Sequence, residues 1–168
     1  MSVSLRMLHQ DDANFILELV NDPMWLRFIG DRNIKTIAQA MAYIRQCQLS
    51  FSESGFGLWC VESDNQAAGL CGFVQREFLS QPDLGFALLP KARGKNILQR
   101  AIPIAIETLR EQGDVACISA ITATDNTACM RLLHHAGFDK LGTLYNSSMS
   151  EGQAQLFYIK RLDSNTLV

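Results

Sequence analysis

Leu84-Gly85-Phe86-Ala87-Leu88-Leu89-Pro90-Lys91-Ala92-Arg93-Gly94-Lys95-Asn96-Ile97-Leu98 carries an apolar run through a basic, glycine-containing turn into helical spacing. Downstream, Leu98, Ile102, Ala105, Ile106 and Leu109 recur every three or four residues and Gly113 follows as a stop, which predicts a helix. Lys91, Arg93, Lys95 and Arg100 crowd the turn and the helix start with no acidic residue between them, although the chain has a formal net charge of -2. The unpaired N–H groups and the dipole of the helix point at the same turn, so backbone and side chains together favour a phosphate there.

Asp83 to Leu89 reads as a strand, and Val115 to Thr122 is a second apolar, partly β-branched run of strand length. Strand, basic loop, helix and strand in that order make a crossover between parallel neighbours, with a ligand site at the strand C-terminal end. Two nucleotide loops are excluded by the residues. The dinucleotide pattern needs three spaced glycines where this loop has only Gly94, and the P-loop pattern needs Gly at Leu89 and Ser or Thr at Asn96.

The loop resembles the acetyl-CoA loop of the GNAT superfamily of N-acetyltransferases, whose pattern is Arg or Gln, two residues, Gly, one residue, then Gly or Ala. Arg93 takes the first position, while Asn96 stands at the family's Gly and Leu98 at its Gly or Ala. Asp125-Asn126-Thr127-Ala128-Cys129-Met130-Arg131-Leu132-Leu133-His134-His135-Ala136-Gly137-Phe138 resembles the closing motif of the ribosomal-protein (alanine/serine) N-acetyltransferase branch. Leu5 to Ala13 and Gly69 to Phe73 are similar to that branch's opening strand with its first helix cap and to its third strand.

The resemblance, over roughly residues 3 to 147, implies a GNAT-like α/β fold. Its mixed, mostly antiparallel central sheet has six or seven strands, a parallel pair at the motif strand and about four flanking helices. It implies acetyl-CoA as co-substrate and a primary amine as acceptor, on a small molecule or a protein N-terminus. Backbone N–H groups of Arg93, Gly94, Lys95, Asn96, Ile97 and Leu98 would hold the pyrophosphate, with side-chain charge from Arg93 and Lys95. Free backbone groups at Ala87 and Leu88 would bond the pantetheine arm and polarise the thioester carbonyl, and Asn126 would reach the amide arm.

The tyrosine with which many family members protonate the leaving thiolate falls at Leu133, and the serine that the branch can present nearby falls at Cys129. A thiol, with a reference pKa near ~8.5, can donate that proton, and it also serves as a small apolar side chain. Asp83 and Glu77 are the two candidates for the base. An α-amine with a reference pKa near ~8 needs less help than a lysine near ~10.4, so a weak base leans toward an N-terminal amine. Asn96, Leu98 and Pro103, the last inside the cofactor helix and expected to kink it between Gln99 and Pro103, favour an alternative: a degenerate GNAT-like binder of CoA or another metabolite with little or no transfer.

The 168 residues, 48% of them hydrophobic, suit one domain over residues 1–168. No apolar run is long enough for a bilayer, no secretory leader is evident, and a cytoplasmic protein without membrane contact is expected. Five cysteines, odd in number and without Cys-x-x-Cys spacing, read as reduced. A pI near 5.9 argues against direct nucleic-acid binding. Cys129 and His134 lack a second pair of ligands, so no metal is predicted, and the adjacent His134 and His135 read as surface residues.

The remaining elements are a strand near Ser4 to Leu8, a helix from Asp11 to Val20, and a helix from the cap Thr36 to before Gly55. A hairpin turns through residues 63–66, and residues 141–145 and 155–162 form an antiparallel pair. Asn21-Asp22-Pro23 reads as a turn, followed by an apolar cluster of Trp25, Leu26, Phe28 and Ile29 that in the resembling family borders the acceptor pocket.

Overall fold

The computed structural model describes residues 1–145 and 154–162. The end of the expected domain, residues 163–168, and the connection at 146–153 lie outside the described residues. Seven strands form one sheet: β1 (Val3–Arg6), β2 (Leu58–Ser63), β3 (Gln66–Val74), β4 (Asp83–Leu88), β5 (Cys117–Ala123), β6 (Asp139–Tyr145) and β7 (Ala154–Arg161). Their order is β1-β2-β3-β4-β5-β7-β6, antiparallel throughout except for the parallel pair β4 and β5. Five α-helices accompany it among the described residues: α1 (Ala13–Val20), α2 (Pro23–Phe28), α3 (Ile37–Ser54), α4 (Ile97–Gln112) and α5 (Thr127–His135).

Strand alternation builds two cores, one on each face of the sheet. Trp59, Val61, Cys71 and Phe73 pack with Ile102, Ile106 and Leu109 of α4 and Leu133 of α5. Cys60 and Leu70 point the other way, to Ile16 and Leu19 of α1 and Ile44 of α3. Gly69 lets β3 close on β4, since a Cβ there would sit 2.1 Å from the Ala87 carbonyl oxygen. Asp64 and Asn65, both at positive φ, make the two-residue hairpin turn between β2 and β3.

The helices are set by their caps. The Thr36 hydroxyl accepts from Gln39 N–H while the Gln39 side chain accepts from Thr36 N–H, and Gly55 at φ 77° closes α3. A turn of 3-10 helix, Gln10–Asp12, precedes α1, so the regular helix starts later than expected. Asn21-Asp22-Pro23 is a helix start rather than a simple turn. The Asp22 carboxylate accepts from Met24 and Trp25 N–H groups and Pro23 takes the first helical position, so the apolar residues after it become α2. Pro103 does not divide α4, which runs on through it; the ring sits on the exposed side, opposite the buried Ala101, Ile102, Ala105 and Ile106. No helix among the described residues is long and apolar enough to cross a membrane.

Candidate active site

The parallel strands β4 and β5 are in register at a single pair, Asp83 with Ser119. Beyond it β4 follows β3 and β5 follows β7, so the two strands part and the sheet opens. A cavity of about 670 Å³ lies at that opening, bounded by the end of β4, the turn at residues 93–96, the first turn of α4, one face of α5 along its length, and α2.

The register decides which part of β4 faces the opening. Leu89 N–H donates to the Ala68 carbonyl at 2.9 Å, and every second residue back along an antiparallel strand turns the same way. Gly85 and Ala87 therefore direct their backbone groups to β3, while Phe86 and Leu88 direct theirs to the opened side. Ser119 N–H bonding the Pro82 carbonyl at 3.0 Å obeys the same parity. This corrects the expectation for Ala87: it lines the cavity, but its backbone belongs to the sheet, and Phe86 takes the place beside Leu88.

The basic loop takes its shape from two left-handed residues, and part of its side-chain charge is engaged away from the cavity. Gly94 (φ 72°) and Asn96 (φ 57°) are both left-handed, and Asn is the non-glycine residue that tolerates this conformation best. Asn96 at the family's Gly is thus compatible with the loop's shape. Ile97 opens a 16-residue helix whose first N–H groups face the cavity end where Gly94, Asn96, Leu98 and Gln99 lie. The charges disperse. The Arg93 guanidinium pairs with Asp22 and donates to the Leu88 carbonyl at 3.0 Å, while Arg100 donates to the Met1 carbonyl at 3.0 Å. Lys95 is exposed and does not line the cavity; Asp64, held low first by the Ser2 N–H, also feels its field.

Asn126 lines the cavity and caps α5, its Oδ1 accepting from Cys129 N–H at 3.1 Å, which leaves Nδ2 as the donor for a ligand. Cys129 lines it one turn on; burial pushes its thiol above the ordinary value, and a hydrogen bond with Thr122 opposes the shift in part. Leu133, at the family's tyrosine position, is fully buried in the core. Asp83 is not at the cavity. It is 1% exposed, accepts from Ser119 Oγ at 2.8 Å and from Arg76 Nε at 2.7 Å, and holds the vertex of the opening. Burial pushes its carboxyl up, with Arg76 and Ser119 opposing. Glu77 sits in an exposed turn after β3, also away from the cavity.

Sequence reasoning missed Asp22, Arg131 and His135 as lining residues. The spacing of Ala128, Arg131 and His135 along α5 places them on one face with Leu132, a signal that was available. His134, adjacent to His135, points elsewhere.

The match to known proteins falls on this frame. A family model described as an acetyltransferase (GNAT) domain matches residues 2–139. The chain belongs to the GNAT acetyltransferases. Among GNAT relatives, an uncharacterized N-acetyltransferase of Bacillus subtilis (strain 168), YoaA, is 24% identical over 143 residues, covering 83% of this chain and 81% of that protein. The ribosomal-protein-S5-alanine acetyltransferase from Vibrio fischeri superposes with a TM-score of 0.82 at 18% identity, over 98% of this chain and 95% of that one. The microcin C7 self-immunity acetyltransferase MccE, solved with acetyl-CoA and AMP, superposes with a TM-score of 0.81 at 17% identity, over 95% and 92%. The GNAT fold expected from the motifs is the fold observed, with seven strands, one parallel pair and a fifth, short helix.

Proposed function

We propose that this GNAT domain transfers the acetyl group of acetyl-CoA to a primary amine, on a small molecule or a protein N-terminus, by direct attack on the thioester. The observation that carries the reading is the cavity at the parting of β4 and β5, with a left-handed basic loop and a helix N-terminus at one side of it. The pyrophosphate sits against the N–H groups from Gly94 to Leu98, and the pantetheine arm runs along Phe86 and Leu88 toward Asn126 Nδ2. Arg93 serves mainly by fixing the loop to Asp22. The amine lone pair attacks the carbonyl carbon, a C–N bond forms, the C–S bond breaks, and the amine sheds one proton while the thiolate gains one. Cys129, whose raised pKa keeps its thiol protonated at neutral pH, is the donor to that sulfur. The five cysteines, free among the described residues, support work in the reducing cytoplasm.

The test is the thermal midpoint with excess acetyl-CoA against CoA, ATP and NAD. Ligand at about 100 times its Kd stabilises by roughly 2.7 kcal/mol, which is about 5 to 10 °C for a chain of this size. A selective shift is expected, followed by acetylation of at least one amine above background. No shift overturns the reading, and a shift without acetylation of any amine leaves a CoA-binding module in its place.

A further inference from the structure

We infer that the acceptor is a monoamine carried on an apolar or aromatic body, selected by the face of α2 that lines the cavity; this rests on the transfer reading above. Once the loop, β4 and α5 are assigned to the co-substrate, the remaining wall is Leu19 of α1 with Met24, Trp25, Phe28 and Ile29 on and just after α2. Every one of these side chains is apolar or aromatic, so the wall rewards burial of an apolar body.

The charges around the wall exclude the opposite class of acceptor. Among the described residues one carboxylate lines the cavity, Asp22, and it is 7% exposed, paired with Arg93 and bonded by the Met24 and Trp25 N–H groups. All three donors converge on its Oδ2, and its charge is already balanced by the Arg93 guanidinium, so it adds little net attraction for a substrate ammonium. The nearby guanidinium groups are Arg131 on α5 and Arg27, which lies 4.7 Å over the Phe28 ring and is paired with Asp125 at 2.7 Å. A polyamine or an aminoglycoside would bring several ammonium groups into this space and find one carboxylate, already paired with Arg93, losing more hydration than it regains.

The experiment compares kcat/KM for phenylalaninamide, alaninamide, spermidine and kanamycin, in the wild-type chain and in Met24→Glu and Ile29→Glu. Both positions are partly exposed, at 42% and 39%, so a charged side chain there is compatible with folding. Phenylalaninamide is expected to lead the polycations by about 10-fold or more, and each Glu variant to move the spermidine to phenylalaninamide ratio up by about 10-fold, with the acetyl-CoA thermal shift unchanged. An intact shift with spermidine or kanamycin preferred, with phenylalaninamide untouched, or with the ratio unmoved in both variants overturns this inference alone. Loss of the acetyl-CoA shift in the wild-type chain overturns the transfer reading and this inference with it.

Discussion

Ser119 donates its hydroxyl hydrogen to the Asp83 carboxylate at 2.8 Å, at the single residue pair through which β4 and β5 are in register. Both side chains are buried, and Arg76 closes the other carboxylate oxygen. The bond pins the vertex from which the sheet opens onto the cavity, which makes Asp83 a positioning residue for the site's shape and removes it from the reacting atoms.

Asp83→Ala strands the Ser119 hydroxyl and the Arg76 guanidinium, so stability should fall by roughly 2 to 3 kcal/mol and the midpoint by about 5 to 10 °C. The pH profile of transfer in the folded fraction should keep its wild-type shape. Disappearance of the profile's acidic limb would instead make Asp83 the base.

Arg93 and Asp22 should couple in a double-mutant cycle. Arg93→Ala leaves a buried carboxylate with only backbone donors and is expected to cost about 2 to 4 kcal/mol in urea unfolding. Asp22→Asn in that background should recover part of the loss, with a coupling of about 1 to 3 kcal/mol. Additive losses would mean that the pair does not tie α2 to the loop.

The left-handed positions of the loop separate by residue type. Asn96→Gly should be neutral within about 0.5 kcal/mol, whereas Asn96→Val and Gly94→Val should each cost roughly 1 to 2 kcal/mol or more from φ alone. No atom lies near a Cβ at Gly94, so crowding cannot account for the loss there. Thermal midpoints with and without acetyl-CoA read both the strain and its effect on the site.

Cys129→Ala should lower kcat by about 10²-fold with little change in KM for acetyl-CoA, and Cys129→Ser should retain more activity than Ala. Since burial raises the thiol pKa, the wild-type rate should hold past the ordinary thiol range near ~8.5 and decline only above it. Full activity in the Ala variant would reduce Cys129 to packing.

Arg6 holds the Asp12 carboxyl below its ordinary value, chiefly through their hydrogen bonds at 2.7 and 2.9 Å. A depressed carboxyl contributes stability that is present above the unfolded value near ~3.9 and lost as pH falls through the folded one. Urea midpoints should therefore drop between pH 6 and pH 3 in the wild type, and drop less in Asp12→Asn.

The elements that carry the site were legible where local periodicity and capping dictate them. The Leu98 to Leu109 spacing is α4, Thr36 and Gly55 bound α3, and the Asn126 to Phe138 motif is α5 with its cap. Asn21-Asp22-Pro23, read as a turn, is a helix cap instead, because the same side-chain oxygen serves both structures and six helical residues are too few for periodicity to choose.

By itself the sequence determined the order of the main elements, the basic turn before α4 and the family, since each depends on residues a few positions apart. Tertiary structure alone decided what those residues do to one another. Arg93 finds its carboxylate 71 residues away and Asp83 its hydroxyl 36 residues away, so the cation expected at the phosphate also braces the loop to Asp22, and Asp83 pins the vertex of the sheet's opening. Whether Ala87 or Phe86 faces the opening rests on how β4 is registered against β3, and a shift of one residue would exchange them. Partners and register are set by which distant surfaces pack, and no local pattern records that choice.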